Sequence, residues 1–188
     1  MMTPSMAADS VAANTRIDVD AQSRAALEER FRDVLAENRG ALGRLASSYA
    51  SAAVDRDDLL QEIAMALWQA LPKFRGECSE RTFLFRIAHN RCLAHLSKRR
   101  PVVPLDEEAD PADPAPGPDV KLSQDQQGQR LMQAIRDLPI IYRQVIVLTL
   151  EGLAYRDIAH VLGIGESNVG VRLNRARQLL RTLLEART

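Results

Sequence analysis

The segment PVVPLDEEADPADPAPGPDV at residues 101–120 constrains the fold of this chain more than any other part of the sequence. It holds six of the nine prolines among the 188 residues. Proline removes a backbone donor and blocks helix formation, and the apolar content here is too low to form a core. We therefore predict a flexible, acidic Pro/Asp-rich linker over residues 101–127. It separates two small domains at residues 21–100 and 128–188, and a disordered tail is expected at residues 1–20.

The first domain shows helical periodicity. In DDLLQEIAMALWQAL, apolar side chains recur every three or four residues and form one stripe, which comprises Leu60, Ile63, Ala64, Leu67, Trp68 and Leu71. A second stripe carries Asp58, Glu62, Met65 and Gln69. The next stretch, TFLFRIAHNRCLAHLSKRR, predicts a helix capped by Thr82 that packs Leu84, Ile87, Ala88 and Cys92 inward. Upstream, an Ala- and Leu-rich run predicts one or two helices around Gly40.

The second domain contains a pattern typical of a helix-turn-helix, YRDIAHVLGIGESNVGVRLNRAR at residues 155–177. Ile158 and Leu162 give the first helix an inner face, Ala159 permits close crossing, and Gly163 supplies a corner with positive φ. Apolar positions then anchor the second helix, namely Ile164, Val169 and Leu173. This leaves a polar outer face that comprises Ser167, Asn168, Gly170, Val171, Arg172, Asn174 and Arg175. Ordinary helical hairpins share the pattern, but an α-helix of this kind also fits a DNA major groove. No segment alternates like a strand, so the fold class is all-α.

The charge distribution points to a polyanionic partner. The formal net charge is zero, but residues 101–127 carry one basic and seven acidic groups, whereas residues 128–188 carry nine and five. Lys73 to Arg100 holds eight basic residues against two acidic ones. Two basic bodies joined by an acidic tether suggest contact with nucleic acid at two places.

Other features narrow the class of protein. No stretch approaches the roughly 20 apolar residues that span a bilayer, and the N-terminus lacks the apolar core of a signal peptide. We therefore expect no membrane insertion, a cytoplasmic location and free thiols at Cys78 and Cys92. No phosphate loop or nucleophile motif occurs, so we predict no enzyme activity and no cofactor. His89, Cys92 and His95 share one helical arc, but the outer two lie roughly 9 Å apart along the axis, which argues against a metal site.

Motifs in both domains resemble those of extracytoplasmic-function sigma factors, members of the sigma-70 family that act with bacterial RNA polymerase. The matching segments are DDLLQEIAMALWQALPKFRG, TFLFRIAHNRCLAHLSKRR and LPIIYRQVIVLTLEGLAYRDIAHVLGIGESNVGVRLNRAR, in this order around the linker. The resemblance implies a transcription initiation factor that directs core RNA polymerase to promoters. It further implies that the first domain melts and reads the minus-ten element, while the helix-turn-helix reads the minus-thirty-five element. Implied partners are the clamp helices of the β′ subunit, the flap of the β subunit, promoter DNA and an anti-sigma factor.

The resemblance also assigns roles to particular residues. Polymerase binding falls to Asp58, Gln61, Glu62 and Met65. The minus-ten element, including a flipped-out base, falls to Arg75, Glu77, Cys78, Ser79, Glu80, Thr82, Phe83, Phe85, Arg86 and Asn90. The minus-thirty-five element falls to Ser167, Asn168, Val171, Arg172, Asn174 and Arg175.

The chain departs from the family pattern at several positions. Gly170 stands where Lys or Arg is usual, Asn168 where Thr is usual, and Gly165 where a Ser cap is usual. These changes weaken helix propensity and remove one phosphate contact. Phe83 and Phe85 replace a frequent Trp and Tyr, which keeps the aromatic face and loses the polar group.

Two alternatives from other classes remain open. A helix-turn-helix regulator that acts without polymerase would bind duplex DNA by itself. A sigma mimic that sequesters an anti-sigma factor would keep the fold and support no transcription, and Gly170 favours this reading.

Overall fold

The computed structural model of the protein describes residues 5–99 and 124–186, and it describes side chains for residues 22–98 and 127–186. These ranges hold seven α-helices, one 3-10 turn at Leu71–Lys73 and no strand, which confirms the all-α class. The helices are α1 Ser5–Tyr49, α2 Ala53–Ala70, α3 Glu80–Arg99, α4 Gln124–Asp137, α5 Ile140–Leu150, α6 Tyr155–Leu162 and α7 Glu166–Glu185.

The ends of the two predicted flexible segments differ from expectation. Residues 5–20, assigned to a disordered tail, belong to α1. This stretch is rich in Ala and contains neither Pro nor Gly, so its intrinsic propensity favours helix even without an apolar face. At the other segment, residues 101–123 lie outside the described residues, whereas residues 124–127 form the first turn of α4.

Helices α1, α2 and α3 pack against one another as the first helical group. Helix α1 continues through Gly40 and Gly43, each of which costs about 1 kcal/mol relative to Ala in a helix. Burial of Leu42 and Leu45 against the neighbouring helices offsets that cost, since each fully buried Leu contributes about 1.5–3 kcal/mol. The region around Gly40 is therefore one helix.

The inner face of α2 is rotated from the predicted stripe. Leu59, Ile63, Ala66 and Leu67 are buried, while Leu60, Ala64 and Trp68 lie at the edge of the core. Trp68 makes an edge-to-face contact with Phe31 of α1, with 5.2 Å between ring centroids. The predicted stripe is therefore only partly inward, since Leu60 still packs against the core while half-buried. Helix α2 has a neighbour on each flank, α1 and α3, and their combined position decides which near-equivalent apolar stripe is covered.

The cap of α3 is Ser79 rather than Thr82. The Thr82 N–H donates to Ser79 Oγ at 3.0 Å, and α3 begins at Glu80. A Ser oxygen that accepts from the third residue beyond it is the usual N-cap arrangement, so Thr82 lies inside the first turn. Its hydroxyl lies 2.7 Å from Ser79 Oγ and also makes a contact outside the helix.

Helices α4 to α7 form the second helical group. Val145, Ile146, Val147 and Leu148 are buried in succession because α5 is covered by α4, α6 and α7 of its own group and also by α1. The two groups touch, with α1 packed on α4 and α5, and α3 packed on α6. Their apolar residues merge into one continuous buried cluster.

Candidate nucleic-acid interface

Helices α6 and α7 form the predicted helix-turn-helix. Gly163 ends α6 in the left-handed conformation with φ of 65°, and the Ile164 N–H donates to the Ala159 carbonyl at 3.1 Å across the corner. Ile158, Val169 and Leu173 are fully buried. These features confirm the corner and the inward-facing positions that the spacing predicts. Leu162 and Ile164 are only half-buried at the edge of the contact.

The outer face of α7 carries the six residues expected to read the minus-thirty-five element. Five of them are exposed, namely Ser167, Asn168, Val171, Asn174 and Arg175. Arg172 is half-buried, and its Nε donates to Asn168 Oδ1 at 3.0 Å. This bond orients both side chains one turn apart near the start of the helix. Gly165 is the N-cap and provides no side-chain hydrogen bond, so the first turn of α7 leaves backbone donors free for an anion.

Gly170 faces Tyr155 of α6. A Cβ built at Gly170 would lie 3.7 Å from Tyr155 Cε2, an ordinary van der Waals distance, and its φ is not positive. The glycine is therefore not required by the backbone or by packing.

A second candidate surface lies where the loop after the 3-10 turn meets α3. A cavity of about 220 Å³ is lined by Lys73, Phe74, Arg75, Glu77, Cys78, Phe83, Arg86 and, from α6, His160. Phe83 and Phe74 are in ring contact at 4.8 Å, and the Arg86 guanidinium lies 5.5 Å from the Phe83 centroid. Phe83 is 8% exposed, with Phe74 and Arg86 against its ring. Aromatic rings and cations of this kind also bind nucleic-acid bases.

The structure brings five of the predicted minus-ten residues together in this cavity: Arg75, Glu77, Cys78, Phe83 and Arg86. The others lie elsewhere. Ser79 caps α3, Glu80 forms an ion pair with Arg30 of α1, and Asn90 is exposed further along α3. Phe85 is fully buried beneath Arg81, whose guanidinium lies 5.3 Å from the ring centroid. Phe85 is therefore a core residue in this structure, and its ring is not available to stack on DNA.

Side chains of α6 and of the α5–α6 corner cover the start of α3. Thr82 Oγ1 donates to Asp157 Oδ1 at 3.1 Å, and Arg86 Nη1 donates to His160 Nε2 at 3.2 Å. Thr82 is 2% exposed as a result. Asp157 and His160 were missed by sequence reasoning, because their partners lie 75 and 74 positions away, respectively, and no local pattern marks them.

The largest polar contact between the groups centres on Glu151 at the end of α5. Its carboxylate accepts from Arg44 Nε at 2.8 Å and Arg44 Nη2 at 2.7 Å, and its backbone carbonyl accepts from Arg81 at 2.6 Å. The Glu151 side chain is 3% exposed. The hydrogen bond to this carboxylate raises the pKa of Arg44. Sequence reasoning did not identify Arg44, Arg81 or Glu151 as interacting residues.

The predicted polymerase stripe lies on the outer side of α2, away from α6. Asp58, Gln61 and Met65 are exposed, and Met65 is 61% exposed although it is apolar. Glu62 is half-buried, and its carboxylate accepts from Lys98 of α3 at 3.0 Å. The stripe therefore offers three free side chains, and a fourth that is held by an ion pair.

His89, Cys92 and His95 are all buried in the first group. Burial lowers the pKa of His89 to about 4 and raises the pKa of the Cys92 thiol. The Tyr49 hydroxyl lies 3.5 Å from His89 Nδ1, and burial raises the pKa of Tyr49. Among the residues that the structure describes, no three His, Cys, Asp or Glu side chains are grouped so that they could hold a metal ion. Within the same ranges, no helix has both the length and the apolar character needed to cross a bilayer.

Comparisons with known proteins match both helical groups. The family model described as Sigma-70 region 2 matches residues 34–102, and the one described as Sigma-70, region 4 matches residues 128–180. The RNA polymerase sigma factor CnrH of Cupriavidus metallidurans is 30% identical over 176 residues, which cover 88% of this chain and 92% of that protein. The ECF RNA polymerase sigma factor SigM of Mycobacterium tuberculosis is 29% identical over 167 residues, which cover 87% of this chain and 80% of SigM.

Two solved structures share the fold. CnrH in complex with the cytosolic domain of CnrY superposes with a TM-score of 0.67 and 28% identity, and covers 89% of this chain and 96% of that one. The sigma factor RpoE of Bartonella quintana, in complex with the anti-sigma factor NepR, gives a TM-score of 0.63 and 25% identity over 84% and 98% of the two chains. Both domain models and the full-length relatives agree, and the chain belongs to the extracytoplasmic-function RNA polymerase sigma factors of the sigma-70 family.

Proposed function

We propose that this sigma factor divides promoter recognition between its two helical groups as follows. As a transcription initiation factor it binds core RNA polymerase and directs it to promoters, and it is not an enzyme. The second group reads the minus-thirty-five element with the outer face of α7. The observation that carries this assignment is the contrast along α7 between fully buried Val169 and Leu173 and exposed Asn168, Asn174 and Arg175. Such a helix is anchored on one side and open to a major groove on the other.

The first group reads and melts the minus-ten element. The cavity beside Phe83 accepts a flipped-out base, and its lining supplies the stacking and hydrogen-bonding groups that compensate for the few kcal/mol lost on unstacking and unpairing. Arg75 and Arg86 add positive charge for the backbone of the strand. Ser79, Glu80, Thr82 and Phe85 support this surface through the loop and the first turns of α3, and exposed Asn90 extends it along the helix.

The outer stripe of α2 binds the clamp helices of the β′ subunit. Exposed Met65 supports this, because an apolar side chain flanked by Asp58, Gln61 and Glu62 is typical of a protein-binding surface with a polar rim. The second group binds the flap of the β subunit. A sigma factor that makes these contacts works in the cytoplasm, where the polymerase acts.

An anti-sigma factor is a further proposed partner. The solved relatives CnrH and RpoE are each held in a complex, with the cytosolic domain of CnrY and with the anti-sigma factor NepR. The chain aligns with nearly all of both relatives, at 96% and 98% of their lengths. A protein of that class is therefore expected to bind this chain.

The test is promoter binding and transcription by holoenzyme reconstituted from core polymerase and the full chain. Arg172→Ala and Arg175→Ala are compared with Arg181→Ala, which removes the same charge from an exposed site two turns further along α7. Loss of a base contact costs about 1–3 kcal/mol and relaxes preference at one base pair, whereas loss of a phosphate contact lowers the salt slope by about one. If both variants keep the affinity, preference and salt slope of Arg181→Ala, α7 is not the reader. If the holoenzyme transcribes no promoter from a library, the chain is a sigma mimic.

A further inference from the structure

We propose that Val171 selects a thymine in the minus-thirty-five element through the C5 methyl group of that base. The inference rests on the proposed reading of this element by α7, and it adds the identity of one base that the helix reads. Val171 is a large apolar side chain in the first half of α7, and 52% of its surface is exposed. An apolar side chain on a surface that enters a major groove needs an apolar partner there.

Val171 lies at the centre of the face that α7 turns away from the rest of the protein. Val169, Leu173 and Ala176 are fully buried and define the inward side of the helix. In an α-helix each residue is rotated by about 100° from the one before, so Val171 is turned by about 200° from both Val169 and Leu173. Its side chain therefore points away from the contacts of α7 with α5 and α6. When this face enters a groove, its central residue comes closest to the base edges.

Polar side chains surround Val171 on this face. Ser167 lies one turn before it, and Asn174 and Arg175 lie one turn after it, and all three are exposed. Their side chains can form hydrogen bonds with base edges or with phosphates. Val171 has no group that forms a hydrogen bond, so it distinguishes only a base that presents apolar surface from one that does not.

The hydrogen bond between Arg172 and Asn168 lies on the flank of this face. Arg172 follows Val171 directly, and its Nε donates to Asn168 Oδ1 at 3.0 Å. Because an arginine side chain can only donate, the bond turns the amide oxygen of Asn168 toward Arg172 and holds the guanidinium on that flank. The long Arg172 side chain is thereby drawn away from the centre of the face, and Val171 stays uncovered.

Neither helix propensity nor packing accounts for a valine at this exposed position. Valine forms helix less well than alanine, because its branched Cβ restricts rotation about χ1. Burial offsets this cost at Val169, but Val171 is more than half exposed. The same branching holds the two methyl groups of Val171 in one orientation, so little side-chain freedom is lost when they contact a base. Within α7, which the structure describes throughout, the other exposed large apolar residue is Leu179, and it lies about 12 Å further along the axis.

Thymine is the base whose major-groove edge matches this side chain. Guanine presents N7 and O6 in the groove, adenine presents N7 and an amino group, and cytosine presents an amino group, whereas thymine presents O4 and a C5 methyl group. Contact between Val171 and that methyl group removes apolar surface of both partners from water, which is favourable. Against another base, the valine covers polar atoms without giving them a hydrogen bond, which is unfavourable. Val171 therefore favours thymine and disfavours the other three bases at the position that it faces.

The experiment removes the methyl group from the DNA and, separately, the two methyl groups from the protein. Holoenzyme reconstituted from core polymerase and the full chain selects promoters from a library in which the minus-thirty-five element is randomised. In the selected promoter, each thymine of that element is replaced singly by deoxyuridine, which lacks only the C5 methyl group. The ratio of the affinities for the thymine and uracil duplexes is measured for the wild type, Val171→Ala and Val54→Ala. The last variant is the matched control, because it makes the same truncation at a valine that is 71% exposed on α2.

At one thymine, holoenzymes with the wild type and with Val54→Ala are expected to bind the uracil duplex about fourfold more weakly, which corresponds to the loss of one buried methyl group. Val171→Ala should bind the two duplexes equally and should select promoters with a relaxed preference at that position. The proposal is overturned if the selected element contains no thymine, if the wild type tolerates uracil at every position, or if Val171→Ala keeps the discrimination.

The variants Arg172→Ala and Arg175→Ala separate failure of this inference from failure of the proposed function. If either of them changes the base preference while Val171→Ala does not, α7 reads the element and only the role of Val171 is wrong. If none of the three changes the preference, or if the wild-type holoenzyme selects no promoter, the proposed function fails together with the inference. The uracil duplexes test the wild type directly, so the result does not depend on the folding of a variant.

Discussion

His89 should make the stability of this protein depend on pH in a mildly acidic range. The imidazole is 2% exposed, and burial lowers its pKa from the ordinary 6.5 to about 4 in the folded chain. Between these values the unfolded chain binds a proton that the folded chain does not, so the free energy of unfolding falls as pH falls. From pH 7.5 to pH 5 the difference amounts to about 2 kcal/mol, and it approaches about 3 kcal/mol near pH 4.

The assay is urea unfolding followed by circular dichroism at several pH values between 5 and 7.5. His89→Gln keeps a polar side chain and removes the titrating group, so its stability should fall by about 2 kcal/mol less over this range. The neighbouring groups do not titrate there, because burial raises the pKa of both Tyr49 and Cys92, and Arg143, stacked on the Tyr49 ring, stays cationic. His160→Gln is the matched control, since His160 is exposed. If the wild type, His89→Gln and His160→Gln show the same pH dependence, burial of His89 is not its cause.

Two further predictions concern the surfaces. Asp58→Arg/Gln61→Arg should weaken assembly with core polymerase in a pull-down or titration while the helix content stays the same. Glu37→Arg, at an exposed site on α1, serves as the control. Unchanged assembly of the double variant would rule out α2 as the polymerase-binding helix. Glu62 is left intact because its replacement would also break the ion pair with Lys98. Gly170→Lys should raise the affinity for minus-thirty-five duplexes with little change in sequence preference, and it should steepen the salt dependence of binding by about one. The reason is that the substitution adds a cation near Arg172, at a position where a Cβ meets only Tyr155 at 3.7 Å. Equal affinity of Gly170→Lys and the wild type at low salt would contradict it.

Local chemistry accounts for the parts of the fold that sequence reasoning predicted correctly. The corner at Gly163, the burial of Ile158, Val169 and Leu173, and the outward face of α7 follow from helical spacing and from one residue that tolerates positive φ. The family resemblance rests on the same kind of information, since the order of motifs around a Pro-rich segment can be read along the chain. These features depend on neighbours within about ten residues.

Choices among near-equivalent local solutions depended on packing. Ser79 and Thr82 are both able to cap a helix, and only the start of α3 at Glu80 distinguishes them. Leu59 and Leu60 are adjacent apolar residues on α2, and the placement of α1 and α3 selects Leu59 for the core. In both cases the competing alternatives differ by little in intrinsic propensity, so long-range contacts decide between them.

The tertiary structure alone revealed the polar contacts between the two helical groups. Arg44 and Glu151 are 107 positions apart, and nothing in the sequence around either residue distinguishes it from a solvated surface charge. The long tether is compatible with separated groups as well as touching ones, since residues 101–127 permit a span of roughly 90 Å. Whether the side chains of Thr82 and Arg86 face solvent or α6 is consequently set by the position of one helical group on the other. The sequence by itself determined the two helical bodies and the helix-turn-helix, because these arise from local periodicity. The burial of the start of α3 arises instead from surface complementarity between segments that the chain brings together only when it folds.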